Sequence, residues 1–173
     1  MKYQKTKFKN LRIYKGKKFI DSRGYFREVF KDKFLKKKVI FWCMSKSKKN
    51  VLRGLHMQTK NAQDKFVSVV KGKILDVVVD CRKKSKTYGK YFKIVLSDKN
   101  CKSLYIPAGF AHGFLALSKE NLVFYGNSKY REAGHEITIK WNDKNLNIKW
   151  PKTKKIISKK DTDELKIKSF KKL

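Results

Sequence analysis

The sequence predicts an all-β protein, a sandwich or barrel, and three observations lead to that fold class. Short alternating or continuous apolar stretches recur along the chain, and turn-forming residues separate them. Segments with the apolar period of an amphipathic helix are scarce. With 173 residues, of which 40% are hydrophobic, the chain can bury the core of one domain. We therefore expect residues 1–173 to form a single domain.

Six segments combine β-branched or aromatic residues with flanking turn signals: 66–70, 74–80, 91–96, 103–106, 114–117 and 121–125. Their close spacing is typical of antiparallel sheets. A turn or two of helix is expected within residues 31–38. A short terminal helix is expected over residues 161–170, with Leu165 and Ile167 as its apolar residues, and the basic end from residue 166 is expected to fray.

The strong positive charge, +32 at pH 7, is carried mainly by lysine, because only six of the 46 basic residues are arginine. Nucleic-acid readers favour arginine for bidentate contacts, so scattered lysine predicts a solvated surface and no nucleic-acid partner. No apolar run approaches the roughly 20 residues of a membrane helix, and no secretory signal is recognisable. Three cysteines, odd in number, indicate free thiols and a cytoplasmic location.

Two of the three histidines lie in strand-like, apolar surroundings. His56 belongs to the run Arg-Gly-Leu-His-Met-Gln at residues 53–58, and His112 follows the Pro-Ala-Gly turn at residues 107–109. A neutral imidazole in a barrel mouth is a natural general base near pH 7. Either histidine alone could equally be a buried structural residue, but together with a lysine, a tyrosine and an aspartate considered below they indicate a site.

Several linked motifs occur in a fixed order: residues 21–28, 45–56, 63–65, 72–80, 106–114, and 141–143 with 150–151. From about Arg12 to Asp161 the chain resembles the dTDP-4-dehydrorhamnose 3,5-epimerase family. The resemblance implies a double-stranded β-helix, the cupin jelly roll, with short peripheral helices. It also implies inversion of C3 and C5 of a nucleotide-linked 4-keto-6-deoxy sugar. The expected reaction converts dTDP-4-dehydro-6-deoxyglucose to dTDP-4-dehydrorhamnose.

The C4 ketone of such a sugar acidifies the protons at C3 and C5, because removal of either gives an enolate. The reaction needs a base, an acid on the opposite face and a cation near the developing oxyanion. By resemblance, His56 is the base and Asp161 orients its ring. Lys65 faces the C4 oxygen, and Tyr125 returns a proton on the opposite face.

The resemblance also implies a set of substrate-binding residues: Arg23, Glu28, Arg53, Gln58, Asp76, His112 and Tyr130. The arginines match positions that contact the nucleotide and its phosphates, which suits the planar guanidinium group. Tyr130 matches an aromatic position near the base. The family's dimer exchanges an N-terminal strand, so a homodimer is implied in which the Arg23–Glu28 segment reaches the neighbouring site.

A metal is a natural question in a cupin. Metal-binding members supply two histidines one residue apart, but Gly54 and Gln58 stand two positions before and after His56. His135 lies in a polar loop. The sequence therefore predicts neither a metal nor another cofactor.

Two departures from the family pattern bear on the substrate. A Gln-x-Asn pattern that usually lines the site is replaced in Phe41-Trp42-Cys43-Met44, and the usual Tyr-x-Pro after Tyr130 has become Arg-Glu-Ala. A 4-keto hexose or heptose carried on GDP or CDP, and inversion at C3 alone, therefore stay open. The further alternatives are a nucleotide-sugar 3,4-ketoisomerase and a non-catalytic cupin that binds a sugar nucleotide.

Overall fold

Two six-stranded sheets face each other in the computed structural model, which describes residues 2–31, 35, 37–163 and 167–172. In spatial order, the first sheet contains β1 (Lys2–Lys5), β2 (Arg12–Lys15), β10 (Lys102–Ile106), β7 (Lys65–Lys71), β12 (Glu120–Asn127) and β5 (Phe41–Lys48). The second contains β14 (Ile167–Lys168), β13 (Glu136–Ile139), β6 (Leu52–Gln58), β11 (Phe110–Ala116), β8 (Lys73–Asp80) and β9 (Tyr91–Ser97). From β5 to β8 successive strands alternate between the sheets, as in a jelly roll.

The remaining elements are peripheral. β3 (Lys18–Asp21) and β4 (Gly24–Arg27) form a separate hairpin. Short 3-10 helices span Ala133–His135, Lys159–Asp161 and Phe170–Lys172. Across the described ranges there is no helix with the length and apolar character that a membrane crossing requires.

The alternation of side chains along β8 divides the core into two layers. Ile74 and Val78 face the space between the sheets, where they join an inner cluster with Val67, Leu104 and Phe114. Successive residues of a strand point to opposite faces, so Leu75, Val77 and Val79 face outward. The outer cluster is made by Leu52, Leu55, Leu75, Val77, Val79, Ala111, Leu115, Ile139, Leu146 and Phe170. Both faces of the second sheet are therefore buried.

The predicted all-β class is confirmed, and each of the six predicted strand segments coincides with a strand. The least accurate boundary concerns β11, which was expected to start at Phe114 but begins at Phe110. A Pro-Ala-Gly turn ends just before it, so the strand signal includes Phe110 and Ala111, which are buried. Of the turn expected within residues 31–38, positions 32–34 and 36 lie outside the described residues.

The expectation of a terminal helix and a frayed end was wrong. Leu165 lies outside the described residues, but Ile167 and the residue after it pair in parallel with β13. Phe170 is buried in the outer cluster, and its N–H donates to Asp143 Oδ2 at 2.9 Å. Pairing and burial of one aromatic ring outweigh the unfavourable lysine-rich composition.

Removal of the Phe170 ring should destabilise the whole domain. We expect Phe170→Ala to lower the free energy of unfolding by about 3 kcal/mol, because a buried aromatic leaves a cavity. Urea unfolding followed by circular dichroism measures this change. Lys171→Ala, at the exposed neighbouring position, should change stability by less than about 0.5 kcal/mol. Equal stabilities of the two variants would show that the end of the chain is not docked.

Candidate active site

A cavity of about 610 Å³ lies between the two sheets and brings together the four predicted catalytic residues. His56 enters from β6 of the second sheet, while Lys65 and Tyr125 enter from β7 and β12 of the first. Asp161 reaches the cavity from the 3-10 helix near the end of the chain. A second cavity of about 650 Å³ contains none of these residues; lysines and arginines dominate its wall.

His56 and Asp161 form a tightly bonded pair, with 2.5 Å between Nε2 and Oδ1. The other carboxylate oxygen accepts from the backbone N–H of Gly54 at 3.4 Å. Burial alone would raise the pKa of Asp161, but the bonds from His56, Gly54 and Ser158 lower it below its usual value. The carboxylate therefore stays ionised at neutral pH, where it can orient the imidazole and stabilise its protonated form.

Backbone pairing fixes the segment that carries Asp161. Ile156 bridges to Val51, and the N–H of Leu52, the first residue of β6, donates to the carbonyl of Ile156 at 2.9 Å. Ser158 then caps the 3-10 helix, since its side chain accepts from the N–H of Asp161. The end of the chain is thus held against the strand that carries His56.

A second carboxylate, Glu136, lies on the other side of the His56 ring. Its Oε1 is 3.7 Å from His56 Nδ1 and 3.0 Å from Lys160 Nζ, and its Oε2 is 2.6 Å from Arg131 Nη2. Burial opposes ionisation, but these cations lower the pKa of Glu136. Sequence reasoning did not single out Glu136 or Lys160. The register of β13 against β6 brings Glu136 here, and no local motif signals it.

Lys65 is a cation without a close partner among the described residues. None of the described residues lies within ion-pair or hydrogen-bond distance of its Nζ. Burial lowers the pKa of Lys65, and the more distant charges of Glu136 and Asp76 partly oppose this shift. An incompletely compensated cation in a cavity is suited to bind a ligand oxygen that carries or develops negative charge.

Tyr125 faces the cavity next to Lys65 on the first sheet. Burial raises the pKa of its phenol, and Ser45 and Arg53 partly oppose the shift. Ser45 lies close to the Tyr125 phenol. No described residue, however, forms a well-aligned hydrogen bond with Ser45 Oγ. A phenol with a raised pKa keeps its proton at neutral pH, so Tyr125 can act as a proton donor.

His112 and Asp76 form a second buried pair behind the cavity. The strand register places His112 directly opposite His56, and His112 Nε2 lies 2.8 Å from Asp76 Oδ2. Asp76 is fully buried, and no described residue bonds to its Oδ1. His112 lines the cavity, whereas Asp76 lies behind it and orients the His112 ring.

Of three other predicted binding residues, two line the cavity and one lies beside it. Arg53 lines it, with Nε donating to Ser47 at 3.1 Å. Gln58 also lines it, but its amide donates to the carbonyls of Asn61 and Tyr130 and accepts from the N–H of Glu132, so it holds the neighbouring loop. The Tyr130 ring is largely exposed and packs against Phe41, with 6.0 Å between the centroids.

Arg23 and Glu28 are not brought to the cavity of their own chain. The Arg23 side chain is 89% exposed, and its one partner among the described residues is Asp21 in the β3–β4 hairpin. Glu28 pairs with Lys31 at 2.6 Å. Four large apolar side chains of the hairpin are also exposed: Phe19, Ile20, Tyr25 and Phe26.

Two residues of the divergent stretch in β5 line the cavity and two do not. Phe41 and Cys43 face the cavity, whereas Trp42 packs on Phe124 with 4.8 Å between the centroids and Met44 is exposed. The alternation of the strand explains this division. The change from a polar to an apolar wall is therefore limited to two side chains.

No three histidine, cysteine or acidic side chains come together as a metal site within the part of the chain that the structure describes. His135 lies beside Glu132, with 3.8 Å between Nε2 and Oε2. The absence of a metal from the mechanism stays a prediction.

Comparisons with known proteins agree with this geometry. The family model described as dTDP-4-dehydrorhamnose 3,5-epimerase matches residues 5–169. The dTDP-4-dehydrorhamnose 3,5-epimerase of Shigella flexneri is 43% identical over 164 residues, which cover 91% of both proteins. The crystal structure of the enzyme of that name from Elizabethkingia anophelis superposes with a TM-score of 0.90 at 38% identity, covering 99% of this chain and 97% of the other.

A further solved structure contains a ligand. The dTDP-6-deoxy-D-glucose-3,5-epimerase of Legionella pneumophila, in complex with dTDP-4-keto-L-rhamnose, has a TM-score of 0.90 at 36% identity. The match covers 94% of this chain and 90% of that one. These likenesses confirm both the cupin jelly roll and the resemblance drawn from the motifs. Because the family model and these relatives extend over nearly its whole length, this chain belongs to the dTDP-4-dehydrorhamnose 3,5-epimerase family of isomerases.

Proposed function

We propose that this protein inverts C3 and C5 of dTDP-4-keto-6-deoxyglucose by removing a proton from each carbon and adding a different proton to the opposite face. The observation that carries the proposal is the bonded His56–Asp161 pair, which shares one cavity with Lys65 and Tyr125. The two sheets contribute opposite walls of that cavity, so a flat ring between them has a base on one side and a phenol on the other.

In the first step, His56 takes the proton from the carbon next to the ketone, and the electron pair moves onto the C4 oxygen. The imidazolium that forms is stabilised by Asp161 Oδ1 at 2.5 Å. Lys65, which has no close protein partner in the described chain, stabilises the enolate oxygen electrostatically. Tyr125, whose phenol holds its proton at neutral pH, then protonates the carbon from the other face. Before the second inversion, the imidazolium of His56 releases its proton to water and the Tyr125 phenolate takes one up.

The nucleotide end of the ligand fits the mouth of the cavity. Arg53 and Arg131 line it with guanidinium groups that suit phosphate oxygens. The Phe41–Tyr130 ring pair offers an aromatic surface for a base. The tyrosine is exposed enough to move onto a ligand.

The protein acts as a homodimer in this proposal. The projecting hairpin exposes four apolar side chains together with Arg23, which is the composition of a segment that docks on another surface. Docking into the cavity mouth of a second copy would add Arg23 and Glu28 to that site. A cytoplasmic location is also proposed, and the three free thiols are consistent with a reducing compartment.

Solvent exchange tests the reaction directly. In heavy water, wild-type protein with dTDP-4-keto-6-deoxyglucose should introduce deuterium at C3 and C5, which proton NMR follows. We expect His56→Ala to lower both exchange rates by at least about 100-fold, because the general base is lost. His135→Ala, a matched change at a half-buried histidine that does not line the cavity, should leave them within about twofold.

Exchange at C3 alone would identify an enzyme that inverts one centre. If the wild type fails to exchange the protons of the dTDP sugar but exchanges those of a GDP- or CDP-linked 4-keto sugar, the substrate carries that other nucleotide. Migration of the carbonyl to C3 would identify a ketoisomerase. If none of these compounds reacts, the remaining candidate is a non-catalytic protein that binds a sugar nucleotide.

Tyr125→Phe should separate proton removal from inversion. His56 still removes the proton and can return deuterium from the same face, so exchange should continue. Formation of the inverted sugar should fall by about 100-fold, since the acid on the opposite face is gone. Parallel NMR measurements of deuterium content and of configuration check this expectation. Loss of exchange together with inversion would instead make Tyr125 part of the proton-removing machinery.

Mixing of two impaired variants tests the shared site. Arg23→Ala should lower kcat/KM about 10- to 100-fold, the loss expected for one charge-assisted hydrogen bond. After subunit exchange with His56→Ala, half of the sites in each mixed dimer regain both residues. Activity should then rise to about a quarter of the wild-type value. Activity that stays at the average of the two variants would place Arg23 in its own subunit's site or in no site.

A further inference from the structure

We propose that Asn127 reads the sugar, by accepting a hydrogen bond from the C2 hydroxyl of the hexose through its side-chain oxygen. This inference rests on the proposed function and deepens it. It assigns a role in sugar specificity to a residue that none of the sequence motifs singled out.

Asn127 occupies a central position in the cavity wall. It lies two residues after Tyr125 on β12, so both side chains face the same way. Its backbone pairs with Lys65 on one side and with Phe41 on the other. The side chain lines the cavity although the residue is only 5% exposed. Asn127 is therefore surrounded by groups assigned to the ketone, the proton transfer and the nucleotide end.

The neighbours of Asn127 fix which way its amide points. Nδ2 lies 3.4 Å from the backbone carbonyl of Phe41 and 3.7 Å from the sulfur of Cys43. A backbone carbonyl can only accept, so the nitrogen must face it and the oxygen must face away. No hydrogen bond to Oδ1 is found from the part of the chain that the structure describes. The cavity wall thus presents a carbonyl acceptor whose own donors are already in use.

The chemistry of an acceptor selects what it can bind. The ketone and the ionised diphosphate are acceptors themselves, so they gain nothing from Asn127 Oδ1. Sugar hydroxyls can donate. The C3 hydroxyl changes its direction when that centre inverts, whereas the C2 hydroxyl keeps its position through the reaction. A rigid acceptor that serves both substrate and product is therefore suited to the C2 hydroxyl.

The side chains around Asn127 offer a sugar hydroxyl few alternatives to this acceptor. Of the other β5 and β12 residues that line the cavity, Tyr125 is assigned to proton transfer, Phe41 offers no polar group and Cys43 offers only a weakly polar thiol. A hydroxyl placed against Phe41 and Cys43 would lose its water and find no comparable acceptor in either side chain. An unpaired buried polar group is unfavourable, so Asn127 distinguishes a sugar with the hydroxyl from one without it.

Two substitutions with opposite expectations test the inference. Asn127→Ala removes the acceptor, whereas Asn127→Asp retains an oxygen of the same reach. Each variant and the wild type are compared with dTDP-4-keto-6-deoxyglucose and with its 2-deoxy analogue, using exchange kinetics. The wild type should prefer the parent sugar about 10-fold in kcat/KM. Asn127→Asp should keep that preference, and Asn127→Ala should lower it to less than about twofold, through KM more than through kcat.

The outcomes separate this inference from the proposed function. An equal loss with both sugars in Asn127→Ala would mean a structural role and would overturn the inference, as would a wild type that does not distinguish them. If Asn127→Ala fails to fold, the inference is tested by the other two proteins. It requires that the wild type prefers the parent sugar and that Asn127→Asp keeps this preference. A wild type that reacts with neither sugar overturns the proposed function, and this inference with it.

Discussion

The close antiparallel approach of β6 and β11 is the constraint on which the site depends. A Cβ on Gly54 would lie 2.6 Å from the carbonyl oxygen of His112, and one on Gly113 would lie 2.5 Å from that of Arg53. Gly54 also has a φ of +103°, which L side chains rarely adopt. Glycine at both positions lets the strands approach where the ladder shifts register, and this pairing sets His56 beside His112. The Arg-Gly-Leu-His run is thus a backbone requirement as much as a catalytic signature.

Charge is arranged around this pairing so that one cation stays available. Each carboxylate at the site has a partner: Asp161 bonds to His56, Glu136 to two cations, and Asp76 to His112. Lys65 is the exception among the described residues of the cavity. Burial lowers the pKa of Lys65. An anionic ligand oxygen placed beside its Nζ would stabilise the charged form of the ammonium group.

The sequence predicted the parts of this arrangement that local patterns encode. Apolar alternation located the strands from residue 65 to residue 127, and the ordered motifs singled out the four proposed catalytic residues, which the cavity brings together. Glu136 escaped notice because only the register of β13 against β6 brings it to His56. The terminal segment was mistaken for a helix because it is rich in lysine, and nothing in the local sequence indicates that Phe170 is buried. The sequence did not single out Asn127, because the role of an amide in a strand depends on its cross-strand neighbours, which the local sequence does not identify.

The late position of Asp161 has a consequence for how activity appears as the chain is made. Its partner His56 lies 105 residues earlier, and the chain returns to it only after every strand except β14 has been synthesised. A chain that stops before residue 161 would lack the carboxylate bonded to His56, together with β14 and the buried Phe170. Such a partial product would lose stability and the support of its imidazole at the same time. Folding of the domain and completion of the His56–Asp161 pair therefore depend on the same late segment.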